Sequence, residues 1–244
     1  KDKSLINDTE IDPDECVYIS VDDVGVKHQK DTRKDGGSKR SRNVENTVIH
    51  VQSREGEYII TDVGMKKAFT LLVAYLVSNK LLENRHLYFF SDGANDIRKT
   101  IETFFSDLCP YTHMLDWYHL EKRMNELCSM ALKGSKDIRH EMRYNLNRKL
   151  WAGNINDAIN YLWEINPKYI KNSTKLKEAV DYLVRKKPYV ACYALRRNLN
   201  YRNSSNPAEK TNDLIVASRQ KHNGMSWSYE GSGALATITA LSHN

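Results

Sequence analysis

Three acids in this chain stand where a pair of divalent cations could be held. Asp22 closes the apolar run Val17-Tyr18-Ile19-Ser20-Val21, Asp92 closes His86-Leu87-Tyr88-Phe89-Phe90-Ser91, and Glu209 opens a helix-like stretch after Asn206-Pro207. Breaking or transferring a phosphodiester uses two cations roughly 3.5 to 4 Å apart, one activating the attacking oxygen and the other stabilising the leaving oxygen. Carboxylate oxygens suit Mg²⁺, which keeps several waters and takes few protein ligands, and Mn²⁺ shares the preference for oxygen. Two Asp on rigid strand ends and one longer Glu on a packed helix would hold that geometry. Asp22, Asp92 and Glu209 are therefore expected to be the catalytic acids and the ligands of two Mg²⁺ ions, with Mn²⁺ able to substitute.

Each acid has an ordinary reading as well. An Asp after a strand is commonly a turn former, and Asp92 precedes Gly93. Asp23 could take the place of Asp22. Strand alternation puts Tyr18, Ser20 and Asp22 on one face and Ile19, Val21 and Asp23 on the other, and the more polar face favours Asp22. Asn206 as N-cap, Pro207 at the first helical position and Glu209 at the third would also make a capping-box-like helix start.

The elements that must position these acids are legible in the pattern. Residues 16 to 22 read as a strand, followed by a polar, charged loop to about Arg42. Residues 44 to 52 and 57 to 62 read as a β-hairpin turning through Ser53 to Gly56. Phe69, Leu72, Val73, Leu76 and Val77 fall at helical spacing within 65 to 80. A strand at 86 to 91 comes next, then a helix carrying Ile97, Ile101, Phe104, Phe105 and Leu108, then a fifth strand at Tyr111 to Leu115. The order βββαβαβ predicts an α/β fold, an RNase H-like mixed five-stranded sheet flanked by helices. Beyond it a helix over Tyr118 to Leu132 and further helical segments to about Asn198 replace the strand signals. The last helix spans roughly Pro207 to Lys221. The predicted division is a first part of the core at 16–119, an all-helical insertion at 120–203, and the C-terminal part of the core, with Glu209, at 204–235.

Charge points to an anionic partner. The 244 residues carry 37 Lys+Arg against 31 Asp+Glu, a net charge of +6 and a pI near 9.0, with 40% hydrophobic residues to build a core. A surplus of that sign suits nucleic acid. It is concentrated between Ile165 and Arg202, where Lys168, Lys171, Lys175, Lys177, Arg185, Lys186, Lys187, Arg196, Arg197 and Arg202 meet only Glu178 and Asp181. Tyr169, Tyr182, Tyr189, Tyr193 and Tyr201 are interleaved, a mixture that can track phosphates and stack on bases or, equally simply, cover a helical core. A second basic run, Lys27 to Arg42, includes Lys34, Lys39 and Arg40 and could contact phosphates beside Asp22 or form a solvated loop. The DNA-contacting residues expected from these runs are Lys34, Lys39, Arg40, Arg185, Lys186, Lys187, Arg196 and Arg197. Cys16, Cys109, Cys128 and Cys192 lie too far apart in sequence to suggest a zinc site or a disulfide framework. A reducing cytoplasm fits, and no run is long and apolar enough for a membrane span. The chain opens on Lys1, and a longer parent protein is expected.

Asp116-Trp117-Tyr118-His119 ends the fifth strand. Asp116 and His119 could stand beside the active site, or Asp116 could simply cap the next helix. This D-x-x-H resembles the C/D-x-x-H motif of Mutator-like and hAT-like transposases. Together with Val17-Tyr18-Ile19-Ser20-Val21-Asp22, Ser91-Asp92-Gly93-Ala94, Asn206-Pro207-Ala208-Glu209-Lys210 and Lys221-His222-Asn223-Gly224-Met225-Ser226-Trp227, it makes residues 16 to 235 resemble bacterial insertion-sequence transposases of the ISLre type. The resemblance implies a DDE transposase with an RNase H-like core, Mg²⁺-dependent DNA cleavage and strand transfer, and catalytic acids at Asp22, Asp92 and Glu209. It also implies double-stranded DNA, both transposon ends and target, as partner, a homo-oligomer assembled on that DNA, and a place in the bacterial cytoplasm. Trp227 would stack on DNA or anchor the C-terminal tail. A domesticated, inactive DNA-binding derivative and an RNase H-like structure-specific nuclease are the alternatives.

Overall fold

The computed structural model describes residues 12–29, 43–83, 85–204, 206–222 and 224–244. Lys34, Lys39 and Arg40 lie outside the described residues.

The sheet is built on β1 (Cys16–Lys27), whose run Cys16 to Val21 is buried on both faces. A strand covered on both sides reads as continuously apolar rather than alternating, and this one lies in the middle of five. β2 (Asn43–Ser53) and β3 (Gly56–Val63) form the expected hairpin through a turn at Arg54 and Glu55. α1 (Met65–Ser78), β4 (His86–Ser91), α2 (Asn95–Phe105) and β5 (Tyr111–Leu115) follow. The strand order is β3-β2-β1-β4-β5, with β2 antiparallel to β1 and β3, and β4 parallel to β1. That order and mix of directions is the RNase H-like sheet.

Two apolar layers sandwich it. Val17, Ile19 and Val21 of β1 meet Leu87 and Phe89 of β4 and Ile49 and Val51 of β2 on one face, beneath Phe69, Leu72 and Leu76 of α1 and Ile97, Ile101 and Phe105 of α2. The helical residues recur at i, i+3 and i+7 in α1 and at i, i+4 and i+8 in α2, so each helix turns one stripe to the sheet. On the other face Val24, Val26, Val44 and Val48 pack against Ile215, Val216, Ala236 and Ala240. These last come from a C-terminal series: α8 (Asn206–Asn212), a π-helical turn (Asp213–Ala217), α9 (Ser218–Gln220) and α10 (Tyr229–Leu241).

Between β5 and α8 the chain is helical: α3 (Trp117–Ala131), α4 (Lys136–Trp151), α5 (Ile155–Trp163), α6 (Ser173–Lys186) and α7 (Tyr193–Asn198). They close on their own core, including Leu120, Met124, Leu127, Leu146, Leu150, Leu162, Ala179 and Leu183. His113–Ser204 forms one compact unit, and Asp14–Thr112 with Ser205–Asn244 forms the other. Among the described residues no helix is long and apolar enough to cross a membrane.

One boundary differs from expectation in a way that matters. The strand expected to stop at Asp22 continues to Lys27, because β2 pairs with it all the way from Tyr18 opposite Gln52 to Lys27 opposite Asn43. Parallel pairing with β4 stops earlier, at Ser20 opposite Phe90. Asp22 is thus inside a strand, at the point where β1 outruns its parallel neighbour.

Candidate active site at the β1 and β4 strand ends

Asp92 is the first residue after β4, and continuing the β1–β4 register by two residues sets Asp22 opposite Asp92. The turn there is tightly specified. Asp92 Oδ1 accepts from the Ala94 N–H at 2.7 Å, Ser91 Oγ accepts from the Gly93 N–H at 3.1 Å, and Gly93 has φ of 82°. A side chain at Gly93 would strain that left-handed conformation. Asp92 therefore forms the turn and, through it, fixes its own carboxylate at the C-terminal end of β4; the ordinary and the chemical readings of this residue are compatible.

The choice between Asp22 and Asp23 follows from the faces of β1. Asp22 shares the face of Val24 and Val26, beneath the C-terminal helices, and its Oδ2 accepts from Asn212 Nδ2 at 2.5 Å. Its Oδ1 accepts from the Asp23 N–H at 3.0 Å. Asp23 is on the opposite face, across the strand pair from Thr47, whose hydroxyl donates to Asp23 Oδ1 at 2.6 Å. Although Asp23 is exposed as a whole, crowding of its carboxyl away from water raises its pKa above the usual carboxylate value. The Thr47 hydrogen bond opposes that rise, while the charges of Asp22, Glu45 and Asp92 reinforce it. The same negative field attracts cations.

Glu209 is half-buried on α8. Asn212 lies three residues on, and residues so spaced are neighbours on one helix face; the helix that carries Glu209 is therefore the one that touches Asp22. Among the described residues no group of three His, Cys, Asp or Glu side chains is gathered closely enough to hold a metal ion as it stands. What the structure shows is Asp22 on β1 with Asn212 beside it, and Asp92 directly after the end of the neighbouring strand β4. All-oxygen donors of this kind fit Mg²⁺ or Mn²⁺, and Mg²⁺ is commonly held by one or two carboxylates with substrate phosphate and water completing the shell.

Asp116 and His119 belong to the helical unit. Asp116 is fully buried and caps α3, its Oδ1 accepting from the His119 N–H at 3.1 Å, with His119 Nδ1 3.6 Å from the same oxygen. The capping role is thus realised.

Several expected DNA contacts need correction. Arg196 is 1% exposed: its Nε and Nη2 donate to the Arg202 carbonyl, and its guanidinium lies 4.9 Å from the Tyr201 ring centre. It closes the end of α7 and offers nothing to a phosphate. The interleaved tyrosines are core residues: Tyr193 and Tyr201 are buried, and Tyr169, Tyr182 and Tyr189 pack partly buried against the helical core. Lys175 and Lys177 are paired with Glu178 and Asp181 along α6. Arg185 and Arg197 are exposed, and Lys186 and Lys187 are half-buried. Trp227 is an anchor. Its indole N–H donates to the Gln220 carbonyl at 3.1 Å, its backbone bridges to Lys27 and Gln29, and its ring packs against the β1–β2 valines.

Asn212 carries no signal in the sequence. Its spacing from Glu209 is visible there, but a lone Asn within a helix has no chemical signature until its partner across the sheet is known.

Neither a protein-family model nor a curated protein matches the chain. Among solved structures it is similar to the Drosophila P element transposase strand transfer complex, at 10% sequence identity and a TM-score of 0.34. The match covers 95% of this chain and 65% of that one, so the chain spans under two thirds of its length. A likeness this loose says nothing about the site.

Proposed function

We propose that the chain is the catalytic domain of a DNA transposase of the insertion-sequence DDE type, cutting phosphodiester bonds at element ends and joining the freed ends to target DNA. What supports the reading is the place of Asp22 on β1 and of Asp92 directly after β4, the parallel neighbour of β1 in an RNase H-like sheet, with the helix of Glu209 laid against Asp22. Two divalent ions, Mg²⁺ or Mn²⁺, supply the activated oxygen nucleophile and stabilise the leaving oxygen when bound.

The protein's own part is positional. Asp22 and Asp92 hold oxygen ligands at a fixed spacing set by the sheet, and the turn at Gly93 keeps Asp92 from swinging away. Glu209, on the helix that touches Asp22, would supply the third carboxylate when the ions are bound. The exposed basic residues Arg185 and Arg197, with Lys186 and Lys187, take phosphates of double-stranded DNA, and copies of the chain assemble on that DNA in a bacterial cytoplasm.

Asp92→Asn tests this reading, since it neutralises one ligand with little change of shape. With duplexes carrying the element's ends and either Mg²⁺ or Mn²⁺, nicking and strand transfer fall by at least about 10²-fold, the usual scale for removing one group that stabilises transition-state charge, while DNA binding persists. Wild-type protein that binds the ends but never nicks them in either metal favours a domesticated DNA-binding derivative. Nicking without joining favours a structure-specific nuclease.

A further inference from the structure

Asn212 is 4% exposed, yet only half of its amide is used. Nδ2 donates to Asp22 Oδ2, whereas Oδ1 is sealed from solvent without a hydrogen-bond partner. Buried polar groups are nearly always satisfied in native proteins, and an exception asks for a cause. If this position served packing alone, an apolar side chain of similar size would strand no carbonyl, and the half-buried Asp22 carboxylate would take water in place of the lost donor. The one bond the amide does make goes to the carboxylate of Asp22, on the strand parallel to the one that ends just before Asp92.

Two further observations bear on it. The Asp23 N–H occupies Asp22 Oδ1 while Asn212 occupies Oδ2, so the carboxylate is gripped at both oxygens and cannot rotate without losing a donor. Immediately after Asn212 the helix widens into the π-helical turn Asp213–Ala217, whose Ile215 and Val216 remain packed on the β1–β2 valines. Such turns inside α-helices recur at functional sites. Here the turn itself packs on the sheet and directly follows the stretch that carries Glu209 and Asn212.

We infer that Asn212 is a positioning residue that fixes the Asp22 carboxylate for a divalent cation, retained at the expense of fold stability. The inference rests on the metal-dependent reading of the site. Carboxylates that ligate metals are typically held by hydrogen bonds from behind, and removing such a partner costs 10- to 100-fold in metal affinity.

The experiment titrates Mn²⁺ into the DNA-free protein by calorimetry and records metal-free thermal unfolding, for wild type, Asn212→Leu and Asn212→Ala. Asn212→Leu is expected to melt at or above the wild-type temperature without metal while its Mn²⁺ dissociation constant rises 10- to 100-fold. Asn212→Ala, which adds no bulk, shows the same loss of Mn²⁺ affinity and supplies the answer if the Leu variant does not fold. A merely structural Asn would give the reverse, lower melting temperatures with Mn²⁺ affinity unchanged, and that result overturns the inference alone. Wild-type protein that binds no Mn²⁺ overturns the metal-dependent reading and the inference with it.

Discussion

At the scale of single residues, the site is a matter of carboxylates fixed by donors from the backbone and from one amide. Asp22 is gripped by the Asp23 N–H and Asn212, and Asp92 by the Ala94 N–H. Away from the site, burial controls Cys128 of the helical core, whose thiol is pushed up to about 11 by desolvation, with Arg143 acting weakly the other way. The folded state thus holds this proton more tightly than the unfolded chain does, near 8.5. Its contribution to stability is complete below about pH 8.5 and is lost as the pH rises toward 11, because the unfolded state ionises first. Denaturant melts at pH 7.5 and 10 should show wild type losing more stability over that interval than Cys128→Ala, whatever the starting values. Equal losses would mean that the thiol is not withheld from water.

The acids are legible as residue types because each follows an apolar run or opens a helix. Asn212 and Arg196 are not, since what distinguishes them is a partner that sequence spacing does not reveal: Asp22 for the amide, and Tyr201 with the Arg202 carbonyl for the guanidinium.

At the scale of elements, α9 and α10, which follow the helix bearing Glu209, are held to the sheet by a buried polar knot as well as by apolar packing on the β1–β2 valines. Asn46 of β2 donates to Ser232 Oγ of α10 at 2.8 Å, Ser232 Oγ donates to Gln220 Oε1 at 2.6 Å, and Gln220 Nε2 donates to the Ser232 carbonyl at 3.1 Å. Asn46 pairs with Val24, two residues from Asp22. Ser232→Ala leaves two buried amides short of a partner, which should cost about 1 to 3 kcal/mol in unfolding free energy, measured by urea denaturation. A change below about 0.5 kcal/mol, the usual range for positions without such features, would mean that the knot contributes nothing to holding the C-terminal helices. Up to the last expected helix, beyond which α10 (Tyr229–Leu241) is not anticipated, the strand and helix boundaries come through from periodicity to within a few residues. The exception, β1 running on to Lys27, is invisible in the sequence because antiparallel pairing with β2 tolerates Asp22 and Asp23 where a solitary strand reading stops at them.

At the scale of the whole molecule, the basic excess is smaller in effect than composition suggests. Arg196 is buried, Lys175 and Lys177 are paired, and Arg185 and Lys186 also complement the C-terminal end of the α6 dipole. Surface charges of this kind contribute little to stability, so replacing Arg185, Lys186 and Lys187 together with Ala should leave the fold intact. If these residues meet DNA phosphates, the slope of log affinity against log salt flattens by about 0.9 for each phosphate no longer neutralised. An unchanged slope assigns them to the helix end alone.

Whether Asp22, Asp92 and Glu209 serve one pair of cations is decided best by a crystal structure of the protein with Mn²⁺ and a duplex carrying the element's end. Anomalous scattering should place one ion between the Asp22 and Asp92 carboxylates and a second roughly 4 Å away within reach of Glu209. Ions bound elsewhere, or a Glu209 carboxylate more than about 10 Å from both aspartates, too far for two ions with ligand bonds of about 2 Å each to span, would contradict a shared two-cation site.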